Sequence, residues 1–217
     1  MRGGPQYLDL QKIALKFGRP LHEFLQIHVL ESFVARLSQS AHRESFALKG
    51  GVLLPVYTAR RPTRDVDLQA LSISRETDGL TKRILSIINV QADDGVAFEP
   101  RSLRSGVIRE DDAYSGVRFS IDTQVATARI RFRLDVGFGD PIVPEPSLVE
   151  LPRLIGESIR VLGYPLEMVL AEKIVTAMER GTANTRWRDF VDVVGIARRQ
   201  FVDGSALTNS ANRVADF

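Results

Sequence analysis

An α+β fold is predicted for this 217-residue chain: a mixed β-sheet core with helices before it and a helical region after it. Three observations lead there. Leu21, Phe24, Leu25, His28, Val29, Phe33, Val34 and Leu37 recur at helical spacing. Ile130, Phe132, Leu134 and Val136 alternate with Arg131, Arg133 and Asp135, as on a strand with one buried face. The last third returns to the helical period over Leu166–Arg180 and Trp187–Gln200. The chain divides accordingly into N-terminal helices over 1–45, a sheet core over 46–150 and a helical region over 151–217.

In chain order, Tyr7–Phe17 reads as a short helix stopped by Gly18 and Pro20, and the helix from Leu21 follows it. Phe46–Lys49 is a short strand broken by Gly50-Gly51, and Val52–Tyr57 a short helix ended by Arg60, Arg61 and Pro62. Arg64–Leu71 alternates charged and apolar residues, as a half-buried strand does. A helix over Leu80–Asn89 leads to extended segments at Val96–Leu103, Gly106–Glu110 and Val117–Thr123, with a turn at Asp111–Gly116. After Leu166–Arg180 come Gly181 and a loop over Thr182–Thr185, and the tail Val202–Phe217 carries one weak helical pattern.

Composition narrows the function classes. The chain is 44% hydrophobic and 26% charged, with no cysteine, which excludes disulfides and thiolate zinc sites and points to a cytoplasmic address. No apolar run is long enough to span a membrane, and the first residues lack a signal-peptide core. His22, His28 and His42 do not form a zinc-binding pair. A formal charge of +2 is nearly balanced, but arginines cluster at Arg60-Arg61, Arg129–Arg133, Arg186–Arg188 and Arg198-Arg199, compatible with polyphosphate or RNA contact.

The chemistry concentrates in Lys49-Gly50-Gly51, thirteen residues, then Asp65-Val66-Asp67. Side chains two apart on a strand share a face, so both carboxylates converge while Val66 and Leu68 face the core. Paired hard oxygen ligands suit Mg²⁺, with Mn²⁺ as the alternative ion, and leave the remaining positions to water and substrate phosphates. Two glycines between a strand and a helix let backbone N–H groups approach a triphosphate closely. Asp135 would complete a carboxylate triad if its strand neighbours that of Asp65 and Asp67; an Arg–Asp surface ladder is the other reading. Lys173 lies mid-helix beside an apolar stripe, placed either to snorkel or to aim an ammonium at the triphosphate. Arg186-x-x-Asp189-x-x-Asp192 puts Arg186 and Asp189 on one helix face, where a local ion pair is the simple alternative.

These pieces in this order resemble the AbiEii-type nucleotidyltransferase toxins, the mycobacterial MenT group included, of the DNA polymerase β-like superfamily. The matching text is Phe46-Ala47-Leu48-Lys49-Gly50-Gly51, Arg60-x-x-Thr63-Arg64-Asp65-Val66-Asp67-Leu68 and Tyr114-Ser115-Gly116-Val117-Arg118. It continues with Leu134–Asp140, Leu170-Ala171-Glu172-Lys173 and Arg186-Trp187-Arg188-Asp189-Phe190-Val191-Asp192. Val52 departs from the pattern, since many superfamily relatives have a small residue after the glycines. The chain also ends soon after its last motif, where a reduced C-terminal substrate-binding extension is expected.

The resemblance implies a nucleotidyltransferase-like mixed sheet. It also implies a toxin, paired with a cognate antitoxin protein, that transfers a nucleoside monophosphate from NTP to the 3′ acceptor end of tRNA and so blocks translation. On that pattern Asp65, Asp67 and Asp135 hold the metal, Lys49, Gly50, Gly51 and Arg64 bind nucleotide, and Lys173 and Asp189 complete the catalytic set. The hydroxyl at the position of Thr63 is phosphorylated in some members of the resembled family, which makes Thr63 a candidate regulatory site. Two other readings stay open: the same chemistry on a small hydroxylated acceptor, and a catalytically inactive regulatory binding module.

Overall fold

Pro5 supplies the first turn of helix α1 (Pro5–Phe17), where its missing N–H leaves no bond unmade, and Gly18 ends the helix in the left-handed conformation at φ 61°. The computed structural model describes residues 4–74, 76–110, 114–139, 141–180 and 187–216. Helix α2 (Leu21–Gln39) lies at the centre, and its buried residues run almost without break from Phe24 to Leu37. All the apolar ones but Ile27 join the main core. Its buried polar residues are each held: Glu31 pairs with Arg60 and accepts the Leu154 N–H at 2.9 Å. Arg36 reaches Asp94 at 2.6 and 3.2 Å, and Ser32 Oγ donates to the same carboxylate at 2.5 Å. Buried charges need such partners, and here they fasten α2 to three connections between the sheet strands, at Arg60, Asp94 and Leu154.

The sheet is mixed and eight-stranded. Its strands are β1 (Phe46–Lys49), β2 (Val66–Ala70), β3 (Val96–Phe98), β4 (Arg104–Glu110), β5 (Tyr114–Val125), β6 (Ala128–Phe138), β7 (Ser147–Leu151) and β8 (Ile159–Gly163). They run in the order β3-β5-β6-β2-β1-β8-β7, with β4 also paired to β5. β2 is antiparallel to β1 and parallel to β6. On β6 the predicted alternation holds: Phe132, Leu134 and Val136 are fully buried, while Arg129, Arg131 and Arg133 are exposed. The other helices are α3 (Gly50–Leu53), α4 (Thr77–Ile88), α5 (Leu166–Arg180), α6 (Trp187–Ala197) and α7 (Gly204–Ala215).

Several boundaries differ from the sequence reading. β2 begins at Val66, so Thr63, Arg64 and Asp65 lie in the loop before it. Val96–Leu103 divides into β3 and a 3₁₀ turn at Pro100–Ser102, because Pro100 has no N–H to give a ladder. The segment expected as a helix over Val52–Tyr57 is the single turn α3 followed by a 3₁₀ turn at Leu54–Val56. β7 and β8 were not anticipated, and β8 opens the range 151–217 with a strand where helix is expected. β5 starts at Tyr114, inside the expected turn, whose residues 111–113 lie outside the described part, as do Asp140, Gly181, the loop 182–185 and Arg186. The tail forms a regular helix, α7, whose N-terminal Asp203 accepts the Ala206 N–H at 2.9 Å. No helix among the described residues is long and apolar enough to cross a membrane.

Candidate active site

Parallel pairing of β2 with β6 sets Asp67 beside Asp135, and antiparallel pairing with β1 sets Asp67 opposite Lys49. The central strands thus carry these three side chains to one face of the sheet, with Asp65 two residues upstream. α5 and α6 close the other wall. A cleft of about 660 Å³ results, lined among others by Lys49, Gly50, Gly51, Arg61, Thr63, Asp65, Asp67, Arg118, Asp135, Lys173 and Asp189.

Both glycines are demanded by close approach. Gly50 has φ 66°, and a Cβ there would fall 1.9 Å from Asp67 Oδ2; a Cβ on Gly51 would come within 2.5 Å of Thr63 Oγ1. The space that the sequence reading gave to a triphosphate is thus bounded by the protein's own Asp67 and Thr63. The helix they open is one turn long, so it offers backbone N–H groups and very little macrodipole.

The electrostatics are those of crowded carboxylates. Burial pushes the Asp67 carboxyl up to about 7, the nearby Asp65 charge adds to the rise, and Lys49 opposes it. Asp135 and Glu172 contribute in the same direction as Asp65. Asp135 is engaged by Arg118 from β5, whose Nε donates to Oδ1 at 2.7 Å and whose second nitrogen donates to Oδ2. That bond raises Arg118 further above its ordinary value. The Arg–Asp ladder also exists, four residues along the same strand pair, as Arg131–Asp122 at 2.8 Å. Among the described residues, no group of three acidic or histidine side chains is arranged to hold a metal ion together. Asp65 and Asp67 remain a converging pair, and a pair is what Mg²⁺ commonly takes from protein when phosphates and water supply the rest.

Across the cleft, Lys173 is only 12% exposed and does not snorkel. Its Nζ donates to Asp189 Oδ1 at 2.9 Å and to Asp192 Oδ2 at 2.8 Å. Lys49 Nζ donates to Glu172 Oε1 at 2.8 Å and lies over the Tyr164 ring. Arg64, expected at the nucleotide, is exposed and does not line the cleft; Arg61 does so in its place. Arg61, Arg118, Glu172 and Asp192 were not singled out as site residues in the sequence. The signal for Asp192 was its place in the Arg186-x-x-Asp189-x-x-Asp192 spacing, and for the others there was only their nearness to a motif.

The family described as "Nucleotidyl transferase AbiEii toxin, Type IV TA system" matches residues 32–216. The chain belongs to that family. It is therefore a nucleotidyltransferase toxin of a type IV toxin–antitoxin system, and membership implies a nucleotide substrate and an antitoxin. No curated protein sequence matches it. Among solved structures it is similar to MenT4, a nucleotidyltransferase toxin of Mycobacterium tuberculosis, with 18% identity and a TM-score of 0.61 over 96% of this chain and 69% of that one. It is also similar to JHP933 of Helicobacter pylori, with 16% identity and a TM-score of 0.56 over 99% of this chain and 75% of that one. A putative nucleotidyltransferase of H. pylori matches with 17% identity and a TM-score of 0.55 over 89% and 75% of the two chains. At these identities the likeness is one of fold, and it matches the mixed sheet and terminal helices of this AbiEii chain.

Proposed function

We propose that this AbiEii chain transfers a nucleoside monophosphate from NTP to the 3′ hydroxyl of tRNA and thereby blocks translation. The observation that carries the reading is the convergence of Asp65 and Asp67 on a cleft whose far wall holds Lys173, with Asp67 pushed up to about 7 by burial first and by the Asp65 charge second. Asp65 and Asp67 would hold Mg²⁺, or Mn²⁺ in its place; bound there, the ion offsets phosphate charge and makes the α-phosphorus more electrophilic. Lys49, Gly50 and Gly51 border the triphosphate, and Lys173, fixed by Asp189, faces the charge that grows as pyrophosphate leaves. The attacking hydroxyl gives its proton to a cleft carboxylate, for which Asp135 is the residue beside Asp67.

An RNA acceptor is supported by the outer face of α6, which carries the exposed aromatics Trp187 and Phe190 with the exposed Arg188; Arg198 and Arg199 follow it. Its acidic residues, Asp189 and Asp192, turn inward onto Lys173. An aromatic surface with arginines and no outward carboxylate suits single-stranded nucleic acid. Incubation with total tRNA and each of four labelled NTPs in Mg²⁺ tests the reading, and labelled tRNA is the expected product. Label on an aminoglycoside and none on tRNA would assign the small hydroxylated acceptor instead. Absence of metal-dependent NTP binding in calorimetry would leave the inactive binding module.

Two outcomes follow from the same contacts. Lys173→Ala should lower single-turnover transfer by roughly a hundredfold or more, the scale of losing one preorganised charged donor. A rate near wild type would remove Lys173 from the mechanism. Apparent affinity for tRNA should fall steeply with salt, by a log–log slope of about −0.7 per contacted phosphate for a single strand. A flat response would shift the acceptor to a small molecule.

A further inference from the structure

Asp192 is 4% exposed on α6 and receives two cations from different parts of the chain. Arg61 Nε donates to Oδ1 at 2.9 Å, and its Nη2 donates to Oδ2 at 2.9 Å. Lys173 Nζ donates to the same Oδ2 at 2.8 Å. Arg61 lies 131 residues upstream, in the loop that carries Thr63 and Asp65. Its guanidinium comes within 3.6 Å of where a Cβ on Gly51 would be. One carboxylate therefore ties the metal-side loop to the lysine wall.

Charge counting gives the link a second consequence. Lys173 faces two carboxylates, Asp189 and Asp192, so by itself this group carries one net negative charge where a triphosphate must come. Arg61 brings the four-residue group to neutrality. We propose that Arg61 and Asp192 are positioning residues for nucleotide transfer. Asp192 sets the spacing between Lys173 and the Arg61–Asp65 loop, and Arg61 offsets Asp192 so that the Lys173 ammonium can attract the triphosphate. The inference rests on the proposed role of Lys173 at the NTP phosphates.

The two roles separate in kinetics. Arg61→Gln leaves an uncompensated carboxylate beside Lys173 and should raise the KM for NTP and weaken Mg·NTP binding by roughly tenfold or more, the scale of one charge-assisted bond. Asp192→Asn leaves the group with an excess positive charge, so KM should not rise, while kcat falls because Lys173 and the loop lose their common anchor. The Arg61→Gln, Asp192→Asn double variant removes one charge of each sign, and its KM should return toward wild type instead of multiplying the losses. Arg61→Lys should recover much of the affinity. Thermal melts on every variant check that the fold persists. Multiplied losses in the double variant, or an unmoved KM for Arg61→Gln in protein that binds NTP, would overturn the link alone. Wild-type protein that binds no NTP would overturn the link and the proposed function together.

Discussion

Replacing Asp65 or Asp67 with Asn or Ala is expected to abolish nucleotide transfer and leave the fold intact. Each removes one of two hard oxygen ligands, and losing the several kcal/mol of charge stabilisation that a metal supplies corresponds to roughly a thousandfold or more in rate. The fold should survive because neither side chain belongs to the apolar core; Val66 and Leu68, which alternate with Asp67, do. Asp67→Asn has a further signature in chelator. Because its carboxyl is raised from 3.8 to about 7, the folded chain holds a proton in that window that the unfolded chain has released. Stability of the metal-free protein should therefore fall as pH rises through the window. Asp67→Asn should remove that part of the slope in thermal melts. Near wild-type turnover of either variant at saturating Mg²⁺, or an unchanged slope in Asp67→Asn, would count against the two-carboxylate site.

The parts of this site legible in the sequence are those set by local periodicity. Leu166–Arg180 is helical over the predicted residues, and β1 ends at Lys49 just before the glycines, because apolar spacing and a glycine break specify both without help from distant residues. Asp135 could be placed next to Asp67 only conditionally, since strand neighbours depend on sheet order. β7 and β8 escaped because each is five residues long, and Pro144, Pro146 and Pro152 around β7 read as loop. The ion pairs were illegible for a different reason. Arg118 meets Asp135 by hairpin register, Lys49 meets Glu172 across 123 residues, and Arg61 meets Asp192 across 131. No spacing rule reaches that far. Thr63 and Asp65 both precede β2, so the loop, and no shared strand face, brings them together.

Thr63→Glu is expected to silence the enzyme, while Thr63→Ser stays active. Thr63 Oγ1 donates to Asp65, with the backbone oxygen at 3.5 Å and Oδ1 at 3.4 Å, and it packs so closely on Gly51 that no Cβ fits between them. Thr63 lines the cleft together with both glycines and both aspartates, so a group added to that oxygen would crowd them. A phosphate there would add nearly two negative charges beside Asp65 and Asp67, and its oxygens would compete for the cation those residues are proposed to hold. Glutamate mimics one of those charges and part of the bulk, which should suffice for a loss of more than about a hundredfold in transfer, or ~2.7 kcal/mol at the barrier. Serine keeps the hydroxyl and its bond to Asp65, so its rate should stay within a few-fold of wild type. The same position is where modification would neutralise the toxin, and intact-mass measurement after co-expression with the cognate antitoxin reads that directly. An active Thr63→Glu enzyme would show that the cleft tolerates an anion at this oxygen, and an unmodified mass would leave neutralisation to another mechanism.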